Sequence, residues 1–107
     1  MTAHKYSAKS IEIDGHRFPS LAEGRRYEEL KLLQYGGAIE GLELQPKFPL
    51  VVNGVNIGEY RADFTYKDCE TGGQIVEDVK GVATPVYKLK AKLVQALYGV
   101  TVQEVTA

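Results

Sequence analysis

The chain has one cysteine, no tryptophan, four prolines and no excess of either charge, and each shortage closes off a class of protein. The single thiol, Cys69 in the polar stretch "KDCETGG", makes no internal disulfide and cannot anchor a thiolate zinc site by itself. No apolar run approaches the roughly 20 residues that cross a bilayer. The opening "MTAHKYSAKS" has no apolar stretch of signal-peptide type, so an intracellular, cytoplasmic protein is expected. With 13 basic and 14 acidic residues the formal net charge is -1, and composition alone does not announce a nucleic-acid binder. Near-neutrality is nonetheless compatible with acids gathered round a divalent metal and a basic remainder. There is no glycine-rich phosphate loop, no G-x-S-x-G and no Cys/His metal spacing.

What is present reads as one domain. The 107 residues are 44% hydrophobic and 25% charged, with no linker to divide them, and one core is expected. Residues 1–8 read as a frayed basic start. Ile11 and Ile13 alternate with polar residues before Asp14-Gly15, a two-residue hairpin signal. Ser20 at an N-cap and Gly36-Gly37 at the other end bound a helix of about four turns. "AIEGLELQPKFPLVV" is extended chain interrupted at Gln45-Pro46, Asn53-Gly54 is a turn, and a strand is expected from about Glu59 to Tyr66. "QIVEDVK" is the next strand. Thr84-Pro85 starts a second helix that Gly99 stops, and "VTVQEV" ends the chain as a strand. The order hairpin, helix, three strands, helix, strand implies an α/β (α+β) fold, a mixed sheet flanked by two helices.

Charges inside the apolar strands point to chemistry. Alternation puts Val76, Asp78 and Lys80 on one face of "QIVEDVK" and Ile75, Glu77 and Val79 on the other. In "EYRADFTY" it groups Arg61, Asp63 and Thr65 against Tyr60, Ala62, Phe64 and Tyr66. If the two strands pair, Asp63 and Asp78 face each other, and carboxylates within about 5 Å destabilise one another unless a cation lies between them. On the first helix Glu23, Tyr27 and Leu30 fall within about 60° of arc, which sets a third acid on or beside the packing stripe. Gly24 beside it would permit close approach of another backbone or a ligand. Glu23, Asp63 and Asp78 together offer oxygen donors suited to Mg²⁺ or Mn²⁺. Lys80 could orient an attacking water and offset charge on a phosphoryl group.

With these residues in order, the sequence resembles the PD-(D/E)XK nuclease superfamily, the restriction-endonuclease-like fold. Asp63 followed by Asp78-Val79-Lys80 meets its pattern, and Glu23 meets the acid on the preceding helix. The strings "LQPKF", "ADF", "VEDVKG" and "YKLKAKL" are similar to those of short phage and prophage proteins of that superfamily. Ala62 stands where the superfamily name has proline. The resemblance implies that Asp63, Asp78 and the main-chain carbonyl of Val79 bind the metal, that Glu23 assists, and that Lys80 is the catalytic lysine. It implies an endodeoxyribonuclease acting in phage DNA replication, recombination or processing, with Gln45 a polar position near the site. A homodimer is expected if both strands are cut.

Each feature also has a plainer explanation. Ser20-x-x-Glu23 fits a capping box, and Asp78 with Lys80 fits a solvated ion pair. Arg25 and Arg26 on the first helix, with Lys88, Lys90 and Lys92 on the second, form either a phosphate-binding edge or a solvated surface. Tyr87 either stacks on a base or covers the core. A DNA-binding or assembly protein that keeps the nuclease scaffold without turnover, or a metal-free interaction domain, are the alternatives in function.

Overall fold

The structure, a computed structural model, describes residues 9–79 and 83–106; the start expected to fray, residues 1–8, and Lys80 lie outside the described residues. β1 (Ile11–Ile13) and β2 (His16–Phe18) pair antiparallel around Asp14-Gly15, whose φ values of 55° and 81° make the mirror-image turn that suits strand twist. The Asp14 carboxylate accepts from Lys31 and from the Tyr27 hydroxyl, which fastens the hairpin to the first helix. Those two donors, Lys31 foremost, hold Asp14 below the ordinary carboxylate range.

α1 (Leu21–Tyr35) begins where Ser20 Oγ accepts from the Glu23 N–H at 3.1 Å, as the capping pattern requires, and ends at Gly36. It buries Gly24, Tyr27 and Leu30. The close approach that Gly24 permits is that of the hairpin: a Cβ there would stand 2.8 Å from Ile11 Cγ2, so no larger residue fits without displacing β1.

β3 (Ile39–Leu44) pairs with β6 (Phe64–Asp68), and β4 (Lys47–Val52) with β5 (Val55–Arg61). The two ladders share one register, Leu44 opposite Phe64 and Lys47 opposite Arg61. Between them the Gln45 N–H donates to the Asp63 carbonyl at 2.9 Å and the Ala62 N–H to the Pro46 carbonyl at 3.1 Å. The four strands are therefore one long hairpin, bent where Gln45 takes a left-handed φ of 52° and Pro46 has no N–H to give the ladder. The single strand expected from Glu59 to Tyr66 is two strands in different sheets, and five strands rather than three separate the helices. The bend also resets the alternation: Tyr60 and Ala62 join one core while Phe64 and Tyr66 join the other.

β7 (Gln74–Val79) pairs antiparallel with β6, and β8 (Val102–Val105) returns parallel to β7, giving a mixed four-stranded sheet in the order β3-β6-β7-β8. The crossover is α2 (Pro85–Tyr98), capped by Thr84 Oγ, with proline in its first turn and Gly99 left-handed at its end. Two apolar clusters result where one core was expected. Tyr27 and Leu30 of α1 pack with Phe18, Ile39, Phe64 and Tyr66; Tyr87 and Val94 of α2 pack with Leu50, Tyr60, Ala62 and Val76. Ile75 and Val76, adjacent in β7, belong to opposite clusters, so the sheet is covered on both faces. Among the described residues no helix is long and apolar enough to cross a membrane.

Candidate carboxylate site

Three elements deliver three acids to one open cleft of about 390 Å³: Glu23 from the first turn of α1, Asp63 from the bend of the long hairpin, and Asp78 from β7. The ladder runs to Phe64 opposite Glu77, and one residue further lie Asp63 and Asp78. The step there is irregular, since the Asp63 N–H donates to the Glu77 carbonyl at 3.0 Å, one residue off that register. Asp63 Oδ2 in turn accepts from the Val79 N–H at 2.7 Å. Asp78 is only 4% exposed, and its Oδ2 accepts from the Tyr60 hydroxyl. Burial, and then that hydrogen bond to Asp78, push the Tyr60 phenol far above its ordinary range.

Burial is the main reason that the Asp63 carboxyl is pushed up to about 8; the charges of Glu23 and Asp78 add to it, and the Val79 N–H opposes it. A carboxyl raised in the folded state holds its proton where the unfolded chain has released it, so it stabilises fully below the unfolded value and less as pH climbs through the folded one. With chelator present, stability should therefore fall between about pH 4 and pH 8, by at most about 1.4 kcal/mol per unit and by less in so far as the group stays solvated. Melting curves across that range should be flatter for Asp63→Asn than for the natural chain.

Among the described residues no three Asp, Glu, His or Cys side chains converge closely enough to ligate an ion as they stand. The donor set still fits a hard cation: the acids are oxygen donors, and the charges of Glu23 and Asp78 act on Asp63 with a repulsion that a cation would relieve. Asp78 would have to exchange Tyr60 for the ion.

The remaining residues predicted from sequence divide sharply. Val79 and Lys90 line the cleft, with Lys90 Nζ donating to the Glu59 carbonyl at 3.0 Å. Arg25, Lys88 and Lys92 are exposed and lie outside its lining. Arg26 does not join a basic edge. It turns inward and clamps Glu77, 1% exposed on the opposite face of β7 from Asp78, through Nε to Oε1 at 2.8 Å and Nη2 to Oε2 at 2.7 Å. The Tyr66 hydroxyl gives the same carboxylate a third donor. Tyr87 lines the cleft, but its ring is buried in the α2-side core, so it is no stacking platform. Gln45 shapes the bend and opens on a different groove, beside His16 and Arg17.

One residue of the cleft, Tyr60, was not expected there as a partner of the acids. Strict alternation sets Tyr60 across from Asp63; the overlooked signal is that Gln45-Pro46, an interruption in one arm of a hairpin, has a counterpart at Ala62-Asp63 in the facing arm. No curated protein and no solved structure matches the chain. A family model described as a protein of unknown function, DUF1064, matches residues 3–105, and the chain belongs to that family.

Proposed function

We propose that the chain is a divalent-metal-dependent nuclease of restriction-endonuclease-like core that hydrolyses DNA phosphodiester bonds in the Glu23–Asp63–Asp78 cleft. The observation that carries the reading is that three acids from separate elements line one open cleft, where the charges of Glu23 and Asp78 add to burial in raising Asp63. Among the described residues Asp63 makes no salt bridge, and Arg61, in the same cleft, makes none either. Glu23, Asp63 and Asp78 would hold Mg²⁺ or Mn²⁺, which when bound supplies charge for a phosphoryl oxygen and acidifies a water. Lys80 follows Val79 at the cleft wall in sequence and is assigned to orient that water. Cutting both strands of a duplex would call for a second copy of the chain.

The Asp78–Tyr60 hydrogen bond favours a second reading, a DNA-binding scaffold whose site does not assemble by itself. Labelled duplex, single-stranded, flap and four-way-junction DNA, incubated with Mg²⁺, Mn²⁺ or chelator, separate the two. Cleavage that requires metal is expected on at least one substrate. Binding without cleavage under either metal would leave the scaffold.

A further inference from the structure

Lys47 and Arg61 are direct partners across the β4–β5 ladder, so two cations face each other where like charges destabilise an antiparallel pair. Both are exposed, and neither makes a hydrogen bond or an ion pair among the described residues. The uncompensated pair is not far from counter-charge. Arg61 lines the same cleft as Glu23, Asp63 and Asp78 yet bonds to none of them, and the one carboxylate on its own face of β5, Glu59, is likewise unpaired with it. The cleft is thus acidic inside and carries cations at the lip where the long hairpin bends. Lys90 reaches the same lip from α2 and spends one of its three donors on the Glu59 carbonyl, while among the described residues Lys47 and Arg61 keep all of their side-chain donors open.

Resting on the nuclease reading, we infer that Lys47 and Arg61 hold consecutive phosphates of the nucleic-acid backbone and lead it from the β4–β5 arm into the carboxylate cleft. Arg61 presents a fork of donors that suits a phosphate, and Lys47 adds a point charge beside it. The basic edge of the helices, where the lysine and arginine spacing drew attention, is not the track: Arg26 is committed to Glu77, and Arg25, Lys88 and Lys92 neither line the cleft nor pair across a ladder with a residue that does, as Lys47 does with Arg61. Contacts of this kind are blind to sequence and position the strand for whatever the cleft does to it.

The test is binding of short fluorescent duplex DNA, single-stranded DNA and RNA of matched length over a range of salt, in chelator, by the natural chain, Lys47→Ala, Arg61→Ala and the double variant. Each single variant should bind severalfold more weakly on every sequence, and each should make the slope of log affinity against log salt shallower by about 1. Melting temperatures of the free variants should be equal to or above that of the natural chain, because an opposed like-charge pair has been relieved. Variants that match the natural chain in affinity and salt slope overturn the inference and leave the nuclease reading intact. Binding that depends on Lys47 and Arg61 but is followed by no metal-dependent cleavage upholds the inference and removes the catalytic reading. No binding to any of the three nucleic acids overturns both.

Discussion

Asp78→Asn is expected to leave the protein folded and to lower metal-dependent cleavage of DNA by well over a hundredfold, since even a partner one shell removed from a metal is worth about 10–100-fold. The side chain keeps its shape and its carbonyl oxygen can still accept from Tyr60, so the buried corner beneath the cleft is preserved. What is lost is one negative charge in the cleft shared with Asp63. A melting temperature within a few degrees of the natural chain, beside a cleavage rate at background, is the predicted pair of results. Cleavage at the natural rate would take Asp78 out of the site.

Arg26→Ala should act on stability to a degree that no other single change described here approaches. Glu77 is sealed between α1 and the sheet, and both of its oxygens depend on the Arg26 guanidinium, with Tyr66 as the third donor. Removing one partner of a buried pair strands the other charge, which costs about 3–5 kcal/mol. For a domain of this size that is roughly a 10–20 °C fall in melting temperature. Glu77→Gln in the Arg26→Ala background should recover part of the loss, because it is the stranded charge and not the vanished contact that destabilises. Thermal denaturation of the two variants and the natural chain decides it: equal melting temperatures for all three would mean that Glu77 finds solvent, contrary to its 1% exposure.

How far the sequence carried the reading depends on whether a feature is local. Helix ends were legible because their chemistry is written in one or two residues: Ser20 and Thr84 as caps, Pro85 in the first turn of α2, Gly99 where only a left-handed residue stops it. The turns at Asp14-Gly15 and Asn53-Gly54 belong with them. That Asp63 and Asp78 come to one cleft was also legible, because the loop between the strands brings β6 back beside β7. The bend was only half legible. Gln45-Pro46 shows as an interruption, but its consequence, that Ala62-Asp63 must turn with it and send Tyr60 to Asp78, follows from contacts between residues 16 to 18 apart in sequence. Arg26 was misread for a related reason. Its neighbour Arg25 is exposed and the two are alike in sequence, yet the 100° step between them carries one toward β7 and Glu77.

Calorimetric titration of Mn²⁺ into the natural chain, with Asp63→Asn and Asp78→Asn as controls, tests the carboxylate site most directly, because it asks for the cation and not for a substrate. The account predicts a saturable heat for the natural chain, a rise in melting temperature on the order of 10 °C at a hundredfold excess over the dissociation constant, and loss of both in either variant. A folded natural chain that gives neither heat nor thermal shift would contradict it, and would return Glu23, Asp63 and Asp78 to a cluster of carboxyls without catalytic work.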